Sequence, residues 1–346
     1  MFPAAAYGAL VADGTTNCYS AIAAAITAAA VNGGTVLIPE GTVSIGDNTL
    51  TLPANVSLRG GGRAVSIIKS TSATGKDVIS LSAGRNAIEN LGILGQSGGG
   101  YGVTLASGIG RVRMSDVAIT STGGGGIKFT QSNFLVTLIA VETNSVTGNG
   151  FDWIGAGTHN SFSLVECYAN SSTGNGYQVY NARAVNMVGC AGDNNASYGF
   201  QFATARVNLV GCTAENNTTG GYHVVGSGFV RFDGCSTNGQ LLPFNINGAA
   251  ATYLNECETT NTPSGNSVQV SASGTSTRNR MIGGTYDRNI LINASGFLLR
   301  DGSGAGTPEG AVQGSVGSTW RRTDGGAATS FYVKESGTGN TGWVAK

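Results

Sequence analysis

The apolar positions of this chain fall into columns. Ile127, Phe151, Tyr177, Phe200, Tyr222, Phe244, Val268 and Ile290 form one, with steps of 22–26 residues. Two residues beyond each stands another apolar residue: Phe129, Trp153, Val179, Phe202, Val224, Ile246, Val270 and Ile292. That alternation marks a strand with one buried face. A further column, Leu138, Leu164, Met187, Leu209, Phe232, Leu254 and Met281, lies just before a column of cysteines. These are Cys167, Cys190, Cys212, Cys235 and Cys257, at spacings of 23, 22, 23 and 22 residues. The same frame runs back through Val141 and Val117 and forward to Gly284.

Each repeat therefore holds about three short strands and no segment of helix length. Such a unit cannot bury its own apolar face, but stacking it on like units does, at a rise of about 4.8 Å per coil. The fixed Leu and Asn frame of leucine-rich repeats is absent, and propeller blades need about 40 residues or more. The pattern predicts an all-β chain, a right-handed parallel β-helix (solenoid). Its coils span 49–300, between an N-terminal cap over 1–48 and a small C-terminal β module over 301–346. The pairs Asn149-Gly150, Asn175-Gly176, Asn194-Asn195 and Asn216-Asn217 suit bends that need left-handed backbone angles.

Composition agrees with this reading. Gly makes up 56 of 346 residues and Pro only 6. Charged residues are 11% and hydrophobic ones 40%, which speaks against disorder. The formal net charge is zero, so neither nucleic acid nor an anionic membrane is indicated as a partner. No apolar run reaches the roughly 20 residues of a membrane span, and no basic n-region marks a secretory signal. The cysteine spacing is that of the repeat and no CxxC pair exists, so the cysteines are expected to be buried free thiols. That fits assembly in a reducing cytoplasm. No metal site and no cofactor is expected.

The N-terminal segment predicts a helix over 17–31, capped by Thr15 or Thr16 and ended by Gly33-Gly34, that covers the open end of the coil stack. Tyr7-Gly8-Ala9, Asp13-Gly14-Thr15, Gly33-Gly34-Thr35-Val36 and Pro39-Glu40-Gly41-Thr42 resemble the opening of bacteriophage tailspikes in the pectate-lyase-like superfamily. Asn17-Cys18 departs from that pattern, which often carries two acidic residues there. At the C-terminus, Trp320, Phe331, Tyr332 and Trp343 lie on predicted short strands, with Asp324-Gly325-Gly326 as a hairpin turn. This segment is similar to a module of phage tail fibres and tailspikes. The resemblance implies a homotrimer. Two or three short strands make a poor core alone, so the aromatics are expected to bury against symmetry mates.

Fold alone does not supply function. The acidic cluster of pectate lyases and the NxD, DD and GHG motifs of polygalacturonases are absent, since His159 and His223 lie in other contexts. Three outer columns carry candidate chemistry. Lys128, Asp152, Gln178, Gln201, His223, Asn245 and Gln269 form a polar stripe that can hydrogen-bond successive sugars or simply ladder along the stack. Asp193 and Glu215 fall on adjacent coils, the arrangement of a glycosidase carboxylate pair or of two solvated turn residues. Arg111, Arg113, Arg206, Arg231, Arg278 and Arg280 form a basic column suited to an acidic polysaccharide or to surface and subunit salt bridges. A lyase could instead use Tyr168 or Tyr180 with an arginine or His223.

These readings converge on a tailspike-like receptor-binding protein of the virion tail, partnered by phage tail or baseplate proteins. It would recognise and depolymerise a bacterial surface polysaccharide. Asp193 and Glu215 would be catalytic, with Asp152, Gln178, Gln201, His223, Arg206 and Arg231 binding substrate. The alternatives are a non-catalytic glycan-binding fibre and a bacterial or prophage-derived carbohydrate-active β-helix.

Overall fold

Alternating apolar residues make strands whose inward faces stack coil on coil. The computed structural model describes residues 1–346 apart from 248–250, 272–279, 287–288, 293–297, 301 and 338. It is an all-β parallel solenoid of about 11 turns with a small C-terminal sheet. Its contacts gather into two units, Met1–Val185 and Asn186–Lys346.

In the first unit, the strand Gly110–Thr120 runs parallel to Phe134–Asn144, with Met114 opposite Leu138 and Val117 opposite Val141. Leu138 in turn faces Leu164. Ile127, Phe151 and Tyr177 are likewise register partners and fully buried. The Phe151 and Tyr177 rings stack 4.6 Å apart at 3°, a geometry worth about 0.5–1.5 kcal/mol beyond area burial. The Tyr177 hydroxyl donates to the Cys167 carbonyl at 2.7 Å, so a tyrosine sits in the core ladder with its polar end satisfied.

The cap helix is Tyr19–Ala30, and it buries Ala21, Ile22, Ala25, Ile26 and Ala29. That face packs on the strands Phe2–Pro3, Gly34–Leu37 and Leu50–Leu52. The expected threonine cap is corrected: Cys18 takes the N-cap position, and Asn17 Oδ1 accepts the Tyr19 N–H at 3.0 Å. Thr15 and Thr16 lie in the strand Asp13–Asn17 and donate their N–H groups to Asp13 Oδ1 at 2.8 and 2.7 Å. Those bonds hold the Asp13 carboxyl well below the usual carboxylate range. Parallel pairing already includes this region, since Gly34–Leu37 pairs with Val56–Arg59.

In the second unit, Leu209, Phe232, Leu254 and Met281 are successive partners. Phe200, Tyr222, Phe244, Val268 and Ile290 follow in the neighbouring ladder. Tyr222 repeats the device of Tyr177, donating to the Cys212 carbonyl at 2.7 Å. The side chain of Ile292, and all of Arg278, lie outside the described residues.

Two bends that recur along the described coils use left-handed backbone. One is the residue before the cysteine column: Gly189, Gly211 and Gly234 have φ of 59°, 57° and 58°, while Glu166 and Glu256 have 52° and 48°. The other holds Asn194 and Asn216, at 55° and 51°, as their turn chemistry predicts. Asn149 and Asn175 differ from expectation. Neither has positive φ, and they ladder along the stack, Asn149 Oδ1 accepting the Asn175 N–H at 2.8 Å.

All six cysteines are free and buried. The thiols of Cys190, Cys212, Cys235 and Cys257 point to the carbonyl two residues earlier, at 3.7, 3.7, 3.8 and 3.5 Å. Hydrogen bonding to the thiols of Cys190 and Cys235, then burial, pushes the Cys212 thiol up.

The C-terminal sheet contains Gly302–Gly304, Thr319–Arg322, Phe331–Lys334 and Trp343–Ala345; the first pairing is parallel and the other two antiparallel. Trp320, Tyr332 and Trp343 are 5%, 7% and 5% exposed within this single chain. The expectation that they need symmetry mates for burial is therefore overturned. Lys334 explains the difference: its ammonium is buried, donates to the Gly339 and Thr341 carbonyls, and lies 5.8 Å from the Trp343 ring centroid. Trp343 is anchored further by its Nε1–H on the Val312 carbonyl at 2.6 Å and by the Glu309 carboxylate on its N–H at 2.7 Å.

Candidate functional site

Strand pleating sends every second residue of a coil outward, and register then lines those residues up along the stack. In the first unit, Thr104, Lys128, Asp152 and Gln178 are successive partners. Asp152 is only 4% exposed, because Tyr101 lies over it. The Tyr101 ring covers Gly125, where a Cβ would come within 2.6 Å of it. The Lys128 ammonium stands 5.1 Å from the same ring centroid. Burial pushes the Asp152 carboxyl up, against the opposing pull of the Tyr101 hydrogen bond. Burial and then the Asp152 charge push the Tyr101 phenol up. Gln178 is half-buried and accepts a hydrogen bond from Asn175 Nδ2 at 3.0 Å.

In the second unit Gln201, His223, Asn245 and Gln269 are successive partners. The His223 ring stacks 4.4 Å from Tyr198, and its Nδ1 lies 3.2 Å from Gln201 Nε2. Desolvation pushes His223 down to about 4, so the imidazole is neutral near pH 7. Its Nε2 is buried with no partner among the described residues. The tyrosine that meets His223 is thus Tyr198, which sequence reasoning did not single out.

Asp193 and Glu215 end the parallel strands Ala191–Asp193 and Thr213–Glu215 as register partners, both half-buried. Asp193 Oδ1 accepts the Glu215 N–H at 3.0 Å. Asn238 follows Glu215 on the next coil.

Two members of the basic column, Arg231 and Arg280, line a groove with aromatic residues. Arg206 is the register partner of Phe229, and Arg231, Tyr253 and Arg280 are successive partners. Phe229, Arg231, Tyr253, Asn255 and Arg280 line an open cavity of about 320 Å³. Phe229 is 37% exposed, and its ring lies 5.2 Å from that of Tyr253 at 41°. In the first unit, Arg111 shares a cavity of about 380 Å³ with Arg85 and Phe134. Tyr253 could have been found from the sequence, since it falls one coil after Arg231 in the same register position; a search by charge alone passed over it. Among the described residues no group of three or more His, Cys, Asp or Glu gathers to hold a metal, and no helix is long and apolar enough to cross a membrane.

No family model matches the chain, and no curated protein matches it significantly in sequence. Solved structures do share its fold. ORF18 of Geobacillus virus E2 superposes with a TM-score of 0.65 at 16% identity, over 98% of this chain and 67% of that one. The gp42 tailspike of Acinetobacter phage vb_AbaP_AS12 gives 0.60 at 12% identity, over 98% and 75%. An alginate lyase from Paenibacillus gives 0.55 at 10% identity, over 80% and 96%. At these identities the likeness is one of fold.

Proposed function

We propose that this chain is a tailspike-like, receptor-binding β-helix of a phage tail that recognises a bacterial surface polysaccharide and depolymerises it. The observation that carries the reading is the groove of Phe229, Arg231, Tyr253 and Arg280 on the outer face of the second unit. Its volume of about 320 Å³ sits at the lower end of the roughly 300–1,000 Å³ typical of small-ligand sites, and it is open, as an elongated glycan requires. Aromatic faces pack against the apolar face of a sugar ring, while guanidinium and amide groups meet its oxygens. The presence of a tailspike and an alginate lyase among proteins of this fold supports the same class.

Gln178, Gln201 and His223 are proposed as further sugar contacts, with Arg206 beside Phe229. Asp152 would position Tyr101 rather than touch sugar. Asp193 and Glu215 are proposed as the hydrolytic pair. Adjacent coils lie about 4.8 Å apart, near the roughly 5–5.5 Å carboxyl separation of retaining glycosidases. Asp193, oriented by the Glu215 N–H, would attack the anomeric carbon, and Glu215 would protonate the leaving oxygen. A homotrimer on the virion tail belongs to this proposal.

A second reading, glycan binding without cleavage, has one observation in its favour: an Asp193 oxygen already accepts a backbone hydrogen bond. Incubating the full chain with a panel of capsular and O-antigen polysaccharides separates the readings. New reducing ends mark a hydrolase, and ultraviolet absorbance of unsaturated uronates marks a lyase. Binding without either product supports the second reading, and absence of binding across the panel refutes both.

A further inference from the structure

We infer that the groove between Phe229 and Arg280 is a subsite for an acidic sugar, one that carries a carboxylate. The inference rests on the glycan reading of this groove and narrows its ligand class. Charge balance is the argument. Arg231 and Arg280 both line the cavity, on either side of Tyr253 in register. Arg231 is compensated, because its Nη2 lies 2.7 Å from Asp233 Oδ2. Asp233 is held in turn by Asn255 Nδ2, which donates to its other oxygen at 2.5 Å. Among the described residues Arg280 makes no ion pair, and its buried Nε has no hydrogen-bond partner there.

The Arg280 Nε is closed off from solvent, so a ligand in the cavity meets this residue through its terminal nitrogens, and a positive charge in the cavity wall with no ion-pair partner among the described residues favours an anionic ligand. The acceptor that suits an arginine is planar and anionic, and a carboxylate can take two parallel N–H bonds. One guanidinium uncompensated means one ligand carboxylate per subsite. Phe229 and Tyr253, tilted at 41° beside the arginines, supply the apolar wall against which the sugar ring would lie. A uronic acid residue within a polysaccharide presents both features at once: a ring with an apolar face and a carboxylate at its edge. A neutral hexose would leave the Arg280 charge unmatched.

The test measures binding of a short oligogalacturonate to the full chain by titration calorimetry, against the same oligosaccharide with its carboxyls reduced to alcohols. The uronate is expected to bind about tenfold or more tightly than the reduced sugar, with the gap narrowing at high salt. Arg280→Gln should lower uronate affinity to near that of the reduced sugar and leave the latter unchanged. Asp233→Asn should raise uronate affinity, since it frees Arg231 while keeping an acceptor for Asn255; a folding defect would not produce a gain. Equal binding of the two sugars by the wild-type chain would overturn the inference and leave the glycan reading standing. Binding of neither, with Tyr253→Ala leaving any other bound glycan of the panel unaffected, would place recognition elsewhere and overturn it as well. No binding of any glycan would sink both. A change of mass in light scattering on Arg280→Gln, with no change in sugar affinity, would make this face a contact between copies of the chain and also overturn the inference.

Discussion

The Tyr101 hydroxyl donates to Asp152 Oδ2 at 2.7 Å, two coils further along the stack. Tyr198 repeats the arrangement in the second unit. Its ring covers Gly220, stacks on His223 of the next coil, and its hydroxyl accepts from Asn245 Nδ2 at 3.2 Å one coil beyond. In both units a tyrosine lies along the stack axis, over a glycine, and ties two members of the polar stripe together. Phenylalanine at position 101 would keep the ring but leave Asp152 short of a donor. Tyr101→Phe should therefore destabilise by about 1–3 kcal/mol, read as a lower denaturant midpoint with unchanged slope.

Asp152 also sets a pH trend. Its folded pKa is raised above the ordinary value of 3.8 by burial. The folded chain then holds the proton more tightly than the unfolded one, so stability falls as pH rises from about 3.8 towards the folded value. Asp152→Asn keeps an acceptor for Tyr101 and removes the titration. The variant should melt higher than the wild type at neutral pH, with the difference shrinking in acid.

His223 gives the opposite slope. Its folded pKa is about 4 against an ordinary value of 6.5. The unfolded chain takes up a proton in this window and the folded chain does not, so stability is lost as pH falls from 6.5 to about 4. His223→Gln continues the amide ladder from Gln201 without a titrating group. Its melting temperature should be flatter than that of the wild type across this range, and parallel curves would show that His223 is not buried neutral.

How much of this was legible follows from what periodicity encodes. The cysteine column, the Phe200–Tyr222–Phe244 ladder and the Asp193–Glu215 register are all consequences of coil length, and coil length is countable in a sequence. Tyr101 and Tyr198 were not found, because a side chain lying along the stack axis is invisible to a period-two pattern. The signal was present as Tyr-Gly three residues before Thr104 and Gln201, with a glycine at the same place one coil later. The C-terminal aromatics were misjudged because burial of Lys334 beneath Trp343, with carbonyls around its ammonium, depends on loop paths that strand propensity does not specify.

The bend before the cysteine column makes its own test. Gly211 has φ of 57° and nothing within 4 Å of where a Cβ would stand, so Gly211→Ala tests backbone strain alone. It should destabilise by about 1 kcal/mol. Glu166 occupies the equivalent bend at 52°. Glu166→Gly relieves that strain but loosens the unfolded chain, so a smaller gain, up to about 1 kcal/mol, is expected. Chemical denaturation reads both, and a loss at Glu166 would mean that its side chain makes contacts outweighing the strain.

The carboxylate pair carries the last prediction. Asp193→Asn retains an oxygen for the Glu215 N–H, and Glu215→Gln changes charge with little change of shape. Both variants should keep the melting temperature and glycan affinity of the wild type. If the pair performs hydrolysis, each should lower turnover by two or more orders of magnitude, roughly the range expected for a lost general acid or nucleophile. The double variant should be little worse than either single one, because the two groups act in one step. Full activity in both single variants would remove the pair from the mechanism. Attention would then pass to Glu142, Glu166, Glu256 and Glu258. Among them Glu142 sits 3.5 Å from Arg63, and Glu166 and Glu256 form left-handed bends at 52° and 48°. Glu258, exposed on its strand beside the cysteine column, would be the first to substitute.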